Sequence, residues 1–189
     1  MVVGKRLPLQ RRDRPGFAPE FPYRSPVQER ESSIVPVPAL ALDLDLVLAD
    51  TRPLWRDWLE DAARRTHVEL DLPEDRGEAA ALLDERLGDW RPLLDRFAAD
   101  RGPVYFRPHA DTGATLRVLQ AAGVRLGVFT DAPRELADIA LAHVGAARRV
   151  ETVGTLDEVL RELGEGAVVV RSRAELTSAA AVYHSSDGR

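Results

Sequence analysis

The chain is predicted to be an α/β protein: a Rossmann-like, doubly wound parallel sheet carrying a small inserted helical lobe. Three observations lead there. Short apolar runs without a polar face read as strands buried on both sides, stretches of helical period alternate with them, and a long helical interval follows the first run.

Residues 1–36 contain Pro8, Pro15, Pro19, Pro22, Pro26 and Pro36, with Arg11, Arg12 and Arg14 among them and little apolar periodicity. Such a composition buries too little surface to offset ordering entropy, so the stretch is expected to be a disordered or loosely attached arm. Val37 to Leu42 is the first strand, and Asp43 and Asp45 stand one residue apart where it leaves the core. From Pro53 the pattern turns helical, with Leu54, Trp55, Trp58, Leu59 and Ala62 on one face and Thr51 as a candidate amino-terminal cap. Helices are expected over Asp75 to Leu87 and Asp89 to Asp100, the second closed by Gly102-Pro103. A strand-helix-strand crossover needs far fewer residues than 51–103, so this interval is read as an inserted helical cap whose core is Trp55, Trp58 and Trp90.

The alternation then becomes regular. Helices over Asp111 to Ala122, Pro133 to His143 and Leu156 to Leu163 separate strands over Val124 to Phe129, Arg149 to Val153 and Ala167 to Val170. The domain reading is an arm at 1–36, a core at 37–50 and 104–176, a cap at 51–103 and a small polar tail at 177–189.

With 189 residues, 44% of them hydrophobic, one substantial core plus an appendage is expected. A net charge of -5, with arginines scattered among acids, argues against a nucleic-acid partner. No run approaches the roughly 20 apolar residues of a membrane span, and the first residues lack a signal-like apolar core, so a cytoplasmic protein with no membrane partner is expected. The absence of cysteine excludes disulfides, thiolate metal sites and cysteine nucleophiles. Lys5 is the only lysine. His67, His109, His143 and His184 show no metal-ligand spacing.

In a parallel sheet, ligands bind beyond the carboxyl ends of the strands, which directs attention to Asp43 and Asp45, Thr130 and Asp131, Glu151 or Thr152, and Arg171 and Ser172. An Asp-x-Asp alone could be a turn former. Asp43-Leu44-Asp45-Leu46-Val47-Leu48-Ala49-Asp50-Thr51, followed by a cap-sized insert and then by Leu126-Gly127-Val128-Phe129-Thr130-Asp131, resembles the first two motifs of the haloacid dehalogenase (HAD) superfamily, in its phosphoglycolate-phosphatase-like branch. The resemblance spans about Ala39 to Leu176.

It implies a HAD-like hydrolase, a phosphatase acting on a small phosphorylated metabolite. Asp43 would be the nucleophile that forms an aspartyl-phosphate, Asp45 the general acid and base, and Thr130 a catalytic phosphate-binding group, with Asp131 beside it. Mg2+ would be the cofactor, held by Asp43, Asp45 and Glu175. Such chemistry is reasonable, because a carboxylate attacks phosphorus once a cation screens both anions. The chain also departs from the pattern. Leu46-Val47 stand where Gly-Thr is usual, no lysine follows the second motif, so that Arg148 or Arg149 would take the phosphate, and Arg171 stands where a metal-binding aspartate belongs. At about 4 Å from Asp43 or Asp45, Arg171 would attract either by on the order of 4 kcal/mol at an effective dielectric near 20, making it a cation substituting for the metal. A catalytically inactive HAD-fold pseudoenzyme that binds an anion or metabolite is therefore the alternative. A protein partner bound through the cap or the amino-terminal arm is the third reading.

Overall fold

The structure, a computed structural model, describes residues 37–67, 71–164 and 166–186. The expected arm at 1–36 lies outside the described residues. The centre is β1 (Ala39–Asp43), flanked by β2 (Arg125–Phe129) and β4 (Val168–Val170), with β3 (Thr152–Gly154) beyond β2. All pairings are parallel and the order is β3-β2-β1-β4. The chain therefore builds outward through β2 and β3 and then returns past β1 to β4. Right-handed crossovers in opposite directions must lie on opposite faces of a sheet.

That rule explains the two cores. Leu40, Leu42, Leu126 and Val128 pack with Leu116 and Leu119 of α4 (Ala110–Ala121), Ala137 and Leu141 of α5 (Arg134–His143), and Leu176 and Ala180 of α7 (Arg173–Ser186). Ala39, Ala41 and Phe129 pack on the other face with Val159 and Leu163 of α6 (Leu156–Leu163). Alternation along β1 thus sends leucine to one layer and alanine to the other. The small residues let α6 approach closely. A Cβ on Gly127 would lie 2.6 Å from Val159 Cγ1 and 3.0 Å from both Leu163 Cδ1 and Thr152 Cγ2. Gly127→Ala is expected to cost about 1–3 kcal/mol by overpacking this layer, readable as a lower urea midpoint with an unchanged m-value.

Three helices intervene between β1 and α4: α1 (Arg52–Thr66), α2 (Arg76–Arg86) and α3 (Arg91–Tyr105). Their centre is the expected tryptophan cluster, with ring centroids 5.2 Å apart for Trp55 and Trp58 and 5.3 Å for Trp58 and Trp90. Leu136 and Ala140 of α5 join this third core while Ala137 and Leu141 serve the first. One helix is thereby a shared wall between sheet and insert.

Some element boundaries differ from expectation. The helix expected to stop at Gly102-Pro103 continues to Tyr105. Pro103 cannot donate back to the chain, but the Phe106 N–H closes on the Gly102 carbonyl at 2.7 Å. Gly102 is the contact point of α3 with α5, since a Cβ there would lie 2.7 Å from His143 Cε1. The stretch read as a polar tail from 177 is part of α7, which reaches Ser186. Leu176, Ala180 and Tyr183 form a stripe on it that packs into the first core. The third strand is short, beginning at Thr152 rather than Arg149. Among the described residues, no helix is long and apolar enough to cross a membrane.

Candidate functional site

Beyond Asp43 the backbone makes one wide helical turn, Leu44–Leu48, closed by the Ala49 N–H on the Leu44 carbonyl at 2.8 Å. Such i+5 turns widen a chain locally and are frequent at functional sites. This one forms without glycine: Val47 is buried, Leu46 faces outward, and Arg173 Nε ties the turn to α7 through the Val47 carbonyl at 3.2 Å. Asp43 caps the turn, its Oδ1 accepting the Leu46 N–H at 3.0 Å. Asp45 lies inside the turn with only 11% of its side chain exposed.

Asp45 has committed partners on both oxygens. Oδ1 accepts the Thr51 N–H at 2.7 Å and the Thr51 hydroxyl at 2.6 Å. Oδ2 accepts from Arg76 Nη2. Thr51, fully buried, was a candidate helix cap, but its hydroxyl is drawn to Asp45 and accepts in turn from Arg76 Nη1 at 2.6 Å. The same guanidinium reaches Asp131 beyond β2 through Nη2 and through Nε at 3.1 Å, and the Arg76 backbone N–H donates to Asp131 Oδ2 at 3.3 Å. Arg76 thus joins the first turn of α2 to the ends of β1 and β2 at once.

Arg76 is only 4% exposed, so its charge has to be matched. Burial works against the charged form, but the hydrogen bond to Asp131 and the charges of Asp45 and Asp131 outweigh it, raising the Arg76 pKa above the ordinary arginine value. For Asp131, burial pushes the pKa up, and the hydrogen bonds and charge of Arg76 win, holding it below the usual aspartate value.

A cavity of ≈ 780 Å³ opens between the sheet edge and the insert. Asp43, Thr130, Asp131 and Arg171 line it from the sheet, and Asp75 and Arg91 from the inserted helices. Thr130 and Asp131 therefore line the same cavity as Asp43. Thr130 Oγ1 accepts the Ala132 N–H at 3.0 Å, which orders the loop after β2.

Several expected placements are corrected. The cation that meets Asp45 is Arg76, not Arg171, whose guanidinium instead lies 5.2 Å over the Phe129 ring. A long side chain starting beside β1 passes over its neighbour's end and rests on an aromatic face. Glu175, expected at a metal, directs Oε2 to the Arg171 N–H at 2.6 Å. Arg148 and Arg149 lie in the turn that precedes β3, at the amino end of the sheet, and Arg149 Nη1 donates to the Gly145 carbonyl. They are on the wrong edge to meet a ligand beside Asp43.

The residues do not fit Mg2+. It needs several hard oxygen donors, whereas Asp45 Oδ2 is taken by a guanidinium, the position aligned with a metal acid is Arg171, and Glu175 caps a backbone N–H. Among the described residues, no three Asp, Glu or His side chains are grouped to hold a metal ion.

Sequence reasoning missed Arg76, although a signal was present. Arg76, Ala79, Ala80 and Leu83 form the buried i, i+3, i+4, i+7 stripe of α2, and a cation at a helix amino terminus opposes the macrodipole. An arginine on a buried stripe needs an acidic partner.

The core is a Rossmann-like α/β layer on an all-parallel four-stranded sheet. No protein-family model and no curated protein matches the chain. It is similar to the solved structure of a HAD phosphatase from Thermococcus onnurineus, with 23% identity over 65% of this chain and 64% of that one and a TM-score of 0.40. For a Thermotoga maritima protein assigned as a beta-phosphoglucomutase the values are 20%, 77%, 82% and 0.41. For an L-2-haloacid dehalogenase from Xanthobacter autotrophicus they are 14%, 65%, 58% and 0.33. The chain therefore spans less than two thirds of the first and third of these proteins.

Proposed function

We propose that this HAD-like chain binds a small phosphorylated metabolite in the cavity between sheet and insert, without a metal and without the magnesium-dependent turnover of a HAD phosphatase. The observation that carries this reading is the Arg76 guanidinium held between Asp45, Asp131 and Thr51. A general acid and base must present an oxygen to the leaving group and then to water. Both Asp45 oxygens already hold strong donors. Turnover through Asp45 would require Arg76 to leave a buried site, and nothing else in the donor set would replace its charge.

A cavity of ≈ 780 Å³ suits a metabolite, and its walls come from both layers, so a bound molecule would touch the sheet edge and the insert together. Asp43 and Thr130 lining the same cavity favour a second reading, hydrolysis through an aspartyl-phosphate on Asp43. Hydrolysis of a generic aryl phosphate, with and without magnesium, separates the two. The expected result is no turnover above background in either condition, with no rise in melting temperature at millimolar magnesium. Metal-dependent turnover that disappears in Asp43→Asn would establish the second reading instead.

A further inference from the structure

Three arginines line the cavity, and two are already engaged. Arg91 pairs with Asp84 at 3.0 Å and Glu135 at 3.3 Å. Arg134 Nε meets both oxygens of Asp138 at 2.8 Å, and its Nη1 donates to the Val153 carbonyl at 3.2 Å. Arg171 makes no ion pair within 4 Å among the described residues. Its backbone is nevertheless fixed, because Glu175 accepts its N–H at 2.6 Å and Ser172 Oγ accepts the Glu175 N–H at 3.2 Å.

The register shows where this cation stands. Leu42 pairs with Val170 and Asp43 with Phe129, so Arg171 and Phe129 flank the end of β1 from opposite sides. By strand alternation Arg171 shares a sheet face with Val169, and Asp43 and Phe129 share it with Ala39 and Ala41. The guanidinium lies over the Phe129 ring, 5.2 Å from its centroid. Stacking on an aromatic face holds the planar fork while leaving its N–H edge able to donate. Next to Phe129, the Thr130 hydroxyl uses a lone pair to accept the Ala132 N–H and keeps its proton for another acceptor.

We infer that Arg171, held on Phe129, is the specificity-determining residue that receives the anionic group of the ligand. This rests on the binding function proposed above and assigns its anion-recognising group. The ligand class is a small oxyanion-bearing metabolite, seated on the guanidinium fork. Asp43, on the same face, opposes it by like charge.

Titration calorimetry with inorganic phosphate tests the assignment. Arg171→Ala is expected to weaken binding by about 10- to 100-fold, the range of a charge-assisted hydrogen-bonded pair. Arg171→Lys keeps the charge without the fork and should fall between wild type and Arg171→Ala. Arg134→Ala should change affinity less than threefold, and Asp43→Asn should tighten it. Phosphate binding that survives Arg171→Ala unchanged, or that falls as far in Arg134→Ala, would overturn the assignment to Arg171 and leave the binding function standing. A wild-type chain that binds no phosphate would overturn the binding function and this inference together.

Discussion

Arg76→Ala is expected to lower stability by about 3–5 kcal/mol, a fall in melting temperature on the order of 10 °C. The size follows from what remains rather than from what is lost. Asp45 stays largely buried with one oxygen stripped of its partner, and the first turn of α2 loses its fastening to β1 and β2. Removal of one member of a buried ion pair costs more than the pair contributes, because an uncompensated charge stays behind. A double-mutant cycle isolates the coupling: Arg76→Ala should cost less in an Asp131→Asn background than in wild type. Equal costs in both backgrounds, by denaturant unfolding, would show that Arg76 and Asp131 do not act together. The insert should also loosen, since α2 begins at this arginine. Amide exchange in α2 of the Arg76→Ala protein should be faster than in wild type.

Acid should unfasten the same junction. The folded-state pKa of Asp131 is depressed below its unfolded value, which is about 3.9. A depressed carboxylate contributes stability that is fully present above the unfolded pKa and is lost as pH falls through the folded one. Arg76, raised above the ordinary arginine value, stays charged throughout this window and contributes no slope of its own. The urea midpoint of wild type should therefore exceed that of Asp131→Asn by a constant margin between about pH 5 and pH 8, and the margin should shrink below about pH 4. Asp131 is 42% exposed at its side chain, so solvent screens part of the interaction and the margin is smaller than that of Arg76→Ala. A margin that stayed constant down to pH 2 would assign the stabilisation to something other than the ionised carboxylate.

Parallel strands explain why part of the site could be read without coordinates. Strands that run the same way end at the same edge, so Asp43, Thr130, Asp131 and Arg171, each at or just past the end of a strand, had to gather there, and all four line the cavity. Arg148 and Arg149 are candidates instead as replacements for the lysine that the resemblance implies, and residues before a parallel strand, which here begins at Thr152, lie at the far edge. The insert was legible as helices with a tryptophan core, because its apolar period is helical and no strand interrupts it. Gly102-Pro103 misled because local propensity favours a break there, while packing against His143 requires a residue without a side chain inside the helix.

The amino-acid sequence by itself determined the layers: alternating apolar runs and helical periods allow few other topologies, and two acids at the end of the first strand follow directly. It also determined that no lysine follows Lys5 and that an arginine stands at 171, where the resemblance implies a metal-binding acid. Only the tertiary structure decided which arginine neutralises Asp45. Arg76 is 31 residues from Asp45 and 55 from Asp131 along the chain, and no local rule connects positions so far apart. The choice was made by packing, because α2 places its buried stripe, and therefore Arg76, against the carboxyl edge of the sheet. There a desolvated guanidinium has two carboxylates and a hydroxyl within reach, while the Arg171 guanidinium lies over Phe129.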